Sequence, residues 1–260
     1  MVKLISGIDE AGRGSVFGPL IIVGLTLSES DVKMLKKQGL KDSKLFVGLS
    51  GRKKRNELAI EILDLTKDKI IIEVSSKEID RTLAKRPLDN LNLLEIRKFY
   101  QILKDLKSSK TYVDNLSSPK YTVEQIRKLI HTNKDNIRLM INSRNKNMYS
   151  VSLMKANQNK MKVVIATKAD KKYSIVAAAS CVAKYIRDKR LREIEQTFYL
   201  PSLSLGQGYP NTKDIRVMKF LEDYQKQIKN RNFPFIRYNW EWATLQELLR
   251  IPEITLDEYF

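Results

Sequence analysis

Four carboxylates stand where apolar segments end: Asp9 and Glu10 after Gly7-Ile8, Asp114 after Tyr112-Val113, and Asp170 just past Val164-Ile165-Ala166. Strand ends far apart in sequence can be neighbours in a sheet. Carboxylates brought together repel unless a cation lies among them, and hard divalent ions such as Mg²⁺ take oxygen ligands. Two such ions, roughly 3.5–4 Å apart, can activate a water and stabilise the leaving oxygen of a phosphodiester. Spacing alone leaves a second reading open, because acids are common at strand ends and usually solvated there. Neighbouring strand residues also face opposite ways. Asp9 and Glu10 therefore share a site only if the strand bends or ends, as Gly12 allows.

Other chemistries are excluded by what the chain lacks. It has one cysteine, Cys181, and one histidine, His131. No internal disulfide, Cys-x-x-Cys zinc pair or histidine cluster can form. Cys181 lies in an Ala-rich run and is expected as a buried small hydrophobe. Any acid–base or metal chemistry must rest mainly on carboxylates.

Directly after Asp9-Glu10 comes Gly12-Arg13-Gly14, with Gly18-Pro19 following. A dinucleotide-binding turn requires Gly-x-Gly-x-x-Gly opening a helix. Here the third glycine is one place late and leads into Pro19 and a β-branched run. No Gly-Lys-Ser/Thr closes a phosphate loop either. What remains is a turn whose glycines let backbone amides approach a ligand, with an arginine suited to phosphate. An ordinary hairpin loop with surface charge fits the same residues.

The balance of 48 Lys and Arg against 30 acids gives +18. That charge favours a polyanionic partner, although a generally lysine-rich protein would share it. No apolar run reaches the length of a membrane span, and the N-terminus shows no signal-peptide pattern. The chain reads as soluble and cytoplasmic.

The elements that must position these residues read as follows. Leu4–Ile8 and Leu20–Leu25 are expected as strands, Asp31–Gln38 and Arg52–Leu65 as helices, and Lys69–Ser75 as a third strand. Ser75-Ser76-Lys77-Glu78 opens a short helix as a capping box. Asn90–Leu106 buries one helical face through Leu93, Ile96, Tyr100 and Leu103. Thr111–Asp114 is a strand, and Thr122–Ile130 a helix with Thr122 and Gln125 in capping positions. Ile137–Ile141 and Lys162–Ala166 are strands separated by the polar stretch Asn142–Asn159. Tyr173–Ile194 is a long helix, and helices at Lys213–Ile228 and Glu241–Arg250 follow. The fold class is mixed α/β: a domain over 1–198, a small helical region over 199–250, and a tail over 251–260.

Taken in order, these motifs resemble the ribonuclease HII family over most of the chain. Gly7-Ile8-Asp9-Glu10-Ala11-Gly12-Arg13-Gly14 with Phe17-Gly18-Pro19 is similar to its N-terminal signature, and Lys41-Asp42-Ser43-Lys44 to its Asp-Ser-Lys loop. Tyr112-Val113-Asp114 matches the strand with its third acid. Lys168-Ala169-Asp170-Lys171-Lys172-Tyr173, with Ala178-Ala179-Ser180 and Ala183-Lys184, resembles the segment with the fourth. Gly206-Gln207-Gly208-Tyr209-Pro210 resembles its Gly-x-Gly-Tyr-Pro loop, and Trp240 its late tryptophan. Asn90-Leu91-Asn92 and the C-terminal region resemble the archaeal branch. Two departures stand out: Ser15 replaces a proline, and Asn142–Asn159 is longer than the family needs, as an inserted hairpin would be. Arg13, where a related subtype carries lysine, supports type 2 over type 3.

The resemblance implies an RNase H-like central sheet flanked by helices. It also implies a metal-dependent endoribonuclease that cuts the RNA of RNA/DNA hybrids and cuts 5′ of ribonucleotides embedded in duplex DNA. The products would carry 5′-phosphate and 3′-hydroxyl ends. Asp9, Glu10, Asp114 and Asp170 would bind Mg²⁺ or Mn²⁺. Gly12, Arg13 and Gly14 would read the 2′-hydroxyl, largely through backbone contacts. Tyr209 would pack on the adjoining deoxyribose, and Lys44 and Lys184 would contact phosphates. The protein is expected to act as a monomer. Another RNase H-fold nuclease or resolvase shares the acids without explaining Gly-Arg-Gly and Tyr209. A non-catalytic nucleic-acid-binding protein explains the charge alone.

The tail, Glu253–Phe260, resembles the peptide by which replication proteins dock on a sliding clamp. One helical turn would place Leu256, Tyr259 and Phe260 on one side. A tail folded onto its own domain would bury the same residues.

Overall fold

A computed structural model describes residues 2–40, 48–115, 117–155, 160–210 and 215–250. Lys44 and the residues assigned to clamp docking, Leu256, Tyr259 and Phe260, lie outside the described residues, and so does 211–214. The structure has the mixed α/β architecture expected, with a seven-stranded sheet in the order β3-β2-β1-β4-β7-β6-β5.

Strands β1 (Leu4–Ala11) and β2 (Leu20–Ser28) form an antiparallel pair, Leu4 opposite Ser28 and Ala11 opposite Ile21. β2 is buried along its whole length, as its near-continuous aliphatic run requires. β3 (Asp68–Val74) extends that side. On the other side β1 pairs parallel with β4 (Lys110–Asp114), which pairs parallel with β7 (Met161–Ala166). Parallel pairing makes β1, β4 and β7 end together, and the expected acids stand at that end.

Helices cover both faces. α1 (Glu29–Lys37), α2 (Gly48–Leu65) and α7 (Ser174–Thr197) lie on one, around a core of Val23, Leu25, Ile62, Ile175 and Ala178. α7 sits directly on β1 because residue 7 is glycine: a Cβ there would come within 2.3 Å of the Ile175 carbonyl oxygen. Cys181 is buried at the α2–α7 contact, where its thiol lies 3.4 Å from the Arg55 carbonyl oxygen. Burial pushes its pKa up to about 12. That is an inert packing residue, as expected.

On the opposite face, α3 (Ser76–Leu83), α4 (Leu91–Asp105) and α5 (Pro119–Thr132) pack over Ile8, Ile22 and Val113. α5 begins earlier than the spacing predicts. Ser118 is its N-cap, with Pro119 in the first turn, where proline's missing N–H costs nothing; Thr122 and Gln125 are interior. Of the polar stretch Asn142–Asn159, the part up to Lys155 forms a strand hairpin, and 156–159 lie outside the described residues. β5 runs Ile137–Asn145 and turns into β6 (Met148–Lys155), which joins β7.

α6 (Ala169–Lys172) leads into α7. The C-terminal helices are α8 (Ile215–Asp223), α9 (Gln225–Lys229) and α10 (Ala243–Leu249), so the single helix expected over 213–228 breaks at Tyr224. They enclose a third core of Phe220, Phe233, Phe235 and Leu245, and that core also takes in Val16 and Phe17 from the glycine turn and Leu191 from α7. Among the described residues no helix is long and apolar enough to cross a membrane.

Candidate active site

Asp9 and Glu10 come from the last residues of β1, and Asp114 ends β4. Asp170 sits in α6, four residues past the end of β7. The chain turns into α6 through Lys168, which takes a left-handed conformation at φ 54°. The Ala169 amide then donates to Asp114 Oδ1 at 2.6 Å, tying the fourth acid's segment to the third acid. Asp9 Oδ1 accepts from the Glu10 amide at 2.8 Å.

Burial raises the Asp9 carboxyl to about 7, with Asp114's charge adding to it and a hydrogen bond from Ser180 of α7 opposing it. Glu10 is pushed well up by burial, then by Asp9, Glu95 and Asp114. Burial also raises Asp114, with Asp170 contributing. The four acids therefore feel one another as charges, which separated residues would not. Among the described residues, however, no three Asp, Glu, His or Cys side chains already enclose an ion position. β1 runs on in register to Ala11 rather than ending at the acids. Asp9 therefore neighbours Ser180 of α7 and Glu10 neighbours Glu95 of α4, on opposite faces of the sheet. The acids meet at the sheet end without enclosing one point.

A divalent cation fits this donor set. Glu10 Oε2 is buried without a hydrogen-bond partner, and a lone carboxylate oxygen there costs free energy that an oxygen-seeking ion would recover. The donors at the four acid positions are all carboxylate oxygens, which suits Mg²⁺ or Mn²⁺.

The glycine turn follows the two β1 acids directly. Gly12 has φ +91°, and a Cβ there would stand 2.2 Å from Arg187 Nε, so glycine is required twice over. Arg13 is not free to reach out. Its Nε donates to Glu95 Oε2 at 2.9 Å and its Nη2 to Asn92 Oδ1, both on α4. The cation that the sequence suggests for phosphate is a tether between turn and helix in this structure. Glu95 is 1% exposed, and burial raises it to about 7 against the pull of Arg13.

Two buried arginines hold the turn from behind, and neither is evident in the sequence. Arg237, 0% exposed, donates from Nη2 to the carbonyl oxygens of Gly12 (2.7 Å) and Gly18 (2.9 Å), and from Nη1 to that of Arg13 (2.8 Å). Burial and then neighbouring Arg187 disfavour its charge. Arg187 Nη2 donates to Ser15 Oγ at 2.7 Å and to the Gln207 carbonyl at 2.8 Å. Ser15 Oγ can also donate to the Gly208 carbonyl at 2.8 Å. The residue that stands where a proline was expected thus stiffens the turn through side-chain hydrogen bonds.

These contacts bring Tyr209 over the turn. Its ring lies 3.7 Å from where a Cβ on Gly14 would be, with the Arg187 guanidinium 5.4 Å from the ring centre. Asp170, Ser180, exposed Lys184, Arg187 and Tyr209 line one open cleft of about 440 Å³. The described residues proposed from the sequence thus surround one region, the end of β1, β4 and β7.

A family model described as ribonuclease HII matches residues 6–141 and 124–243. The ribonuclease HII of Pyrococcus horikoshii is 33% identical over 98% of both chains. The crystal structure of ribonuclease H2 from Pyrococcus horikoshii superposes with a TM-score of 0.67 at 30% identity, covering 95% of this chain and 97% of that one. A structure of the PCNA:RNase HII complex from Archaeoglobus fulgidus gives 0.66 at 27% identity, covering 98% and 99%.

Proposed function

The chain belongs to the ribonuclease HII family and is an RNase H-type endonuclease acting on RNA in RNA/DNA hybrids; from that premise we propose how and where it cuts. It hydrolyses the phosphodiester 5′ of a ribonucleotide embedded in duplex DNA, at an RNA-to-DNA junction, leaving 5′-phosphate and 3′-hydroxyl ends. The carrying observation is the unpartnered Glu10 Oε2, buried beside the carboxylates of Asp9, Glu95 and Asp114.

Asp9, Glu10, Asp114 and Asp170 would hold Mg²⁺ or Mn²⁺. When bound, the metal supplies a water of lowered pKa and charge stabilisation at the phosphate, by two-metal-ion catalysis. The chain's own residues do the rest. Ser180 of α7 favours the charged Asp9 carboxylate, and the Ala169 amide donates to Asp114 and orients it. Arg237 draws the Gly12 and Arg13 carbonyls inward, which leaves the backbone of Gly12-Arg13-Gly14 to approach the 2′-hydroxyl. Tyr209 offers its ring to the adjoining deoxyribose, where a 2′-hydroxyl would crowd it. Lys44 and Lys184 would contact phosphates. The helical region 199–250 serves the site by supplying Tyr209 and Arg237. Leu256, Tyr259 and Phe260 would dock on a sliding clamp, a reading supported by the Archaeoglobus fulgidus complex with PCNA. The enzyme acts as a monomer.

The test is cleavage of a DNA duplex bearing one ribonucleotide, against an all-DNA control, with and without Mg²⁺ and Mn²⁺. Metal-dependent cutting 5′ of the ribonucleotide is expected. Equal cutting of the all-DNA duplex, or cutting in EDTA, would sink the reading.

A further inference from the structure

The outer strand of the hairpin β5–β6 packs on the core only near its start, through Ile137 and Leu139. β6 is buried through Tyr149–Leu153, but every residue of β5 from Met140 to Asn145 is exposed. That strand is the sheet edge. An exposed edge is a liability, and core packing accounts for β5 only up to Leu139.

Direction gives the hairpin a place. β6 runs antiparallel to β7 with Met148 opposite Ala166, and Ala166 is also opposite Asp114 of β4. β5 pairs back with Asn145 opposite Met148. The hairpin turn, residues 145–148, therefore lies at the same sheet end as the acids. It is fixed there: the Thr167 amide donates to the Asn147 carbonyl at 3.0 Å, three residues before Asp170. The tip carries Arg144 and Lys146, both exposed. From Ile137 to Lys155 the chain has four basic residues and no acidic one. Lys168 and Lys171, also exposed, follow Thr167 and continue the basic edge toward Asp170.

We propose that the β5–β6 tip, through Arg144 and Lys146, is a second contact site for the phosphate backbone of the duplex, several nucleotides from the cut. This rests on the nuclease reading above. β5 is three strand spacings from β4, about 14 Å, or about four base-pair steps at 3.4 Å each. A duplex whose scissile phosphate sits at the acids thus passes the tip only if it extends at least that far on the β7 side. The contact is electrostatic and carries no base sequence.

The test is the double variant Arg144→Glu/Lys146→Glu, with Arg144→Gln/Lys146→Gln as a milder form. The control is Lys67→Glu/Lys107→Glu, which makes the same charge change at exposed positions on the opposite sheet end. Duplex affinity is measured in EDTA across salt concentrations, and KM and kcat in Mg²⁺. The probes are a 30-base-pair DNA with a central ribonucleotide and versions cut back to two pairs on either side of it. The charge-reversed tip should bind the long duplex about tenfold more weakly. Its salt slope should fall by about 2 (Z = 2), with KM raised and kcat unchanged. One truncated duplex should abolish the difference between wild type and variant. Equal loss in the control, equal loss on both truncated duplexes, or no loss overturns the proposal. Wild-type protein that binds but does not cut would refute the nuclease reading instead, and leaves the binding comparison to decide this one.

Discussion

Arg237 reaches the Gly12 carbonyl oxygen at 2.7 Å across 225 residues of sequence. One planar guanidinium thereby satisfies backbone oxygens of Gly12, Arg13 and Gly18 inside a protein core. A turn built on glycines has many conformations, and this cation selects one.

Replacing that fork with a single ammonium tests the point. Arg237→Lys keeps charge but cannot span three carbonyls, and each lost charge-assisted bond is worth about 1.5–3 kcal/mol. The variant should lose about 3 kcal/mol of stability in denaturant titration. At temperatures where it stays folded, its preference for a ribonucleotide-containing duplex over DNA should fall at least tenfold. Unchanged discrimination would remove Arg237 from the recognition turn.

The buried acids set a pH dependence in metal-free protein. Asp9 is raised from 3.8 to about 7, so between those values the folded state holds a proton that the unfolded chain has released. Stability from this group is therefore full below about pH 4, falls as pH rises, and is lost above about 7. Asp9→Asn in EDTA should melt higher than wild type at pH 8, by about 2 kcal/mol in stability, and the gap should close near pH 4.5. Mg²⁺ should restore the wild type at pH 8 and do little for the variant. A gap independent of pH would show that Asp9 is not held against its charge.

Tyr209 is expected to act through its ring. Tyr209→Ala should raise KM on an RNA-to-DNA junction about tenfold, and Tyr209→Phe should remain near wild type. A defect in the phenylalanine variant equal to that of alanine would move the role to the hydroxyl.

For the tail, deletion of Leu256–Phe260 should weaken clamp binding, measured by calorimetry, and leave unassisted cleavage intact. Unchanged affinity would end that assignment.

Much of the site could be read along the chain because its signals are local. Acids ending apolar runs, and glycines beside them, show in a few consecutive residues. The parts that escaped have no local signature. Arg187 and Arg237 are charged residues in ordinary-looking segments, and only the fold shows that they are buried against carbonyls. Glu95 resembles any helix-surface acid until Arg13 is found beside it. β6 was hidden because its buried face alternates with Ser150 and Ser152, both inside, so the stretch passes for polar loop. The start of α5 was misplaced although Ser118-Pro119 is a standard opening, because the apolar spacing begins later.

On the proposed assignment of the acids, the parallel alignment of β1, β4 and β7 would also set when the chain becomes able to cut. The four acids span residues 9 to 170, and the arginine that holds the glycine turn comes at 237. A ribosome-bound chain that has emerged only through β4 holds three of the four acids and neither Asp170 nor Arg237. With the acids and the arginine in those roles, nuclease competence would wait until residue 237 has been made, and shorter products of translation would leave nucleic acid intact.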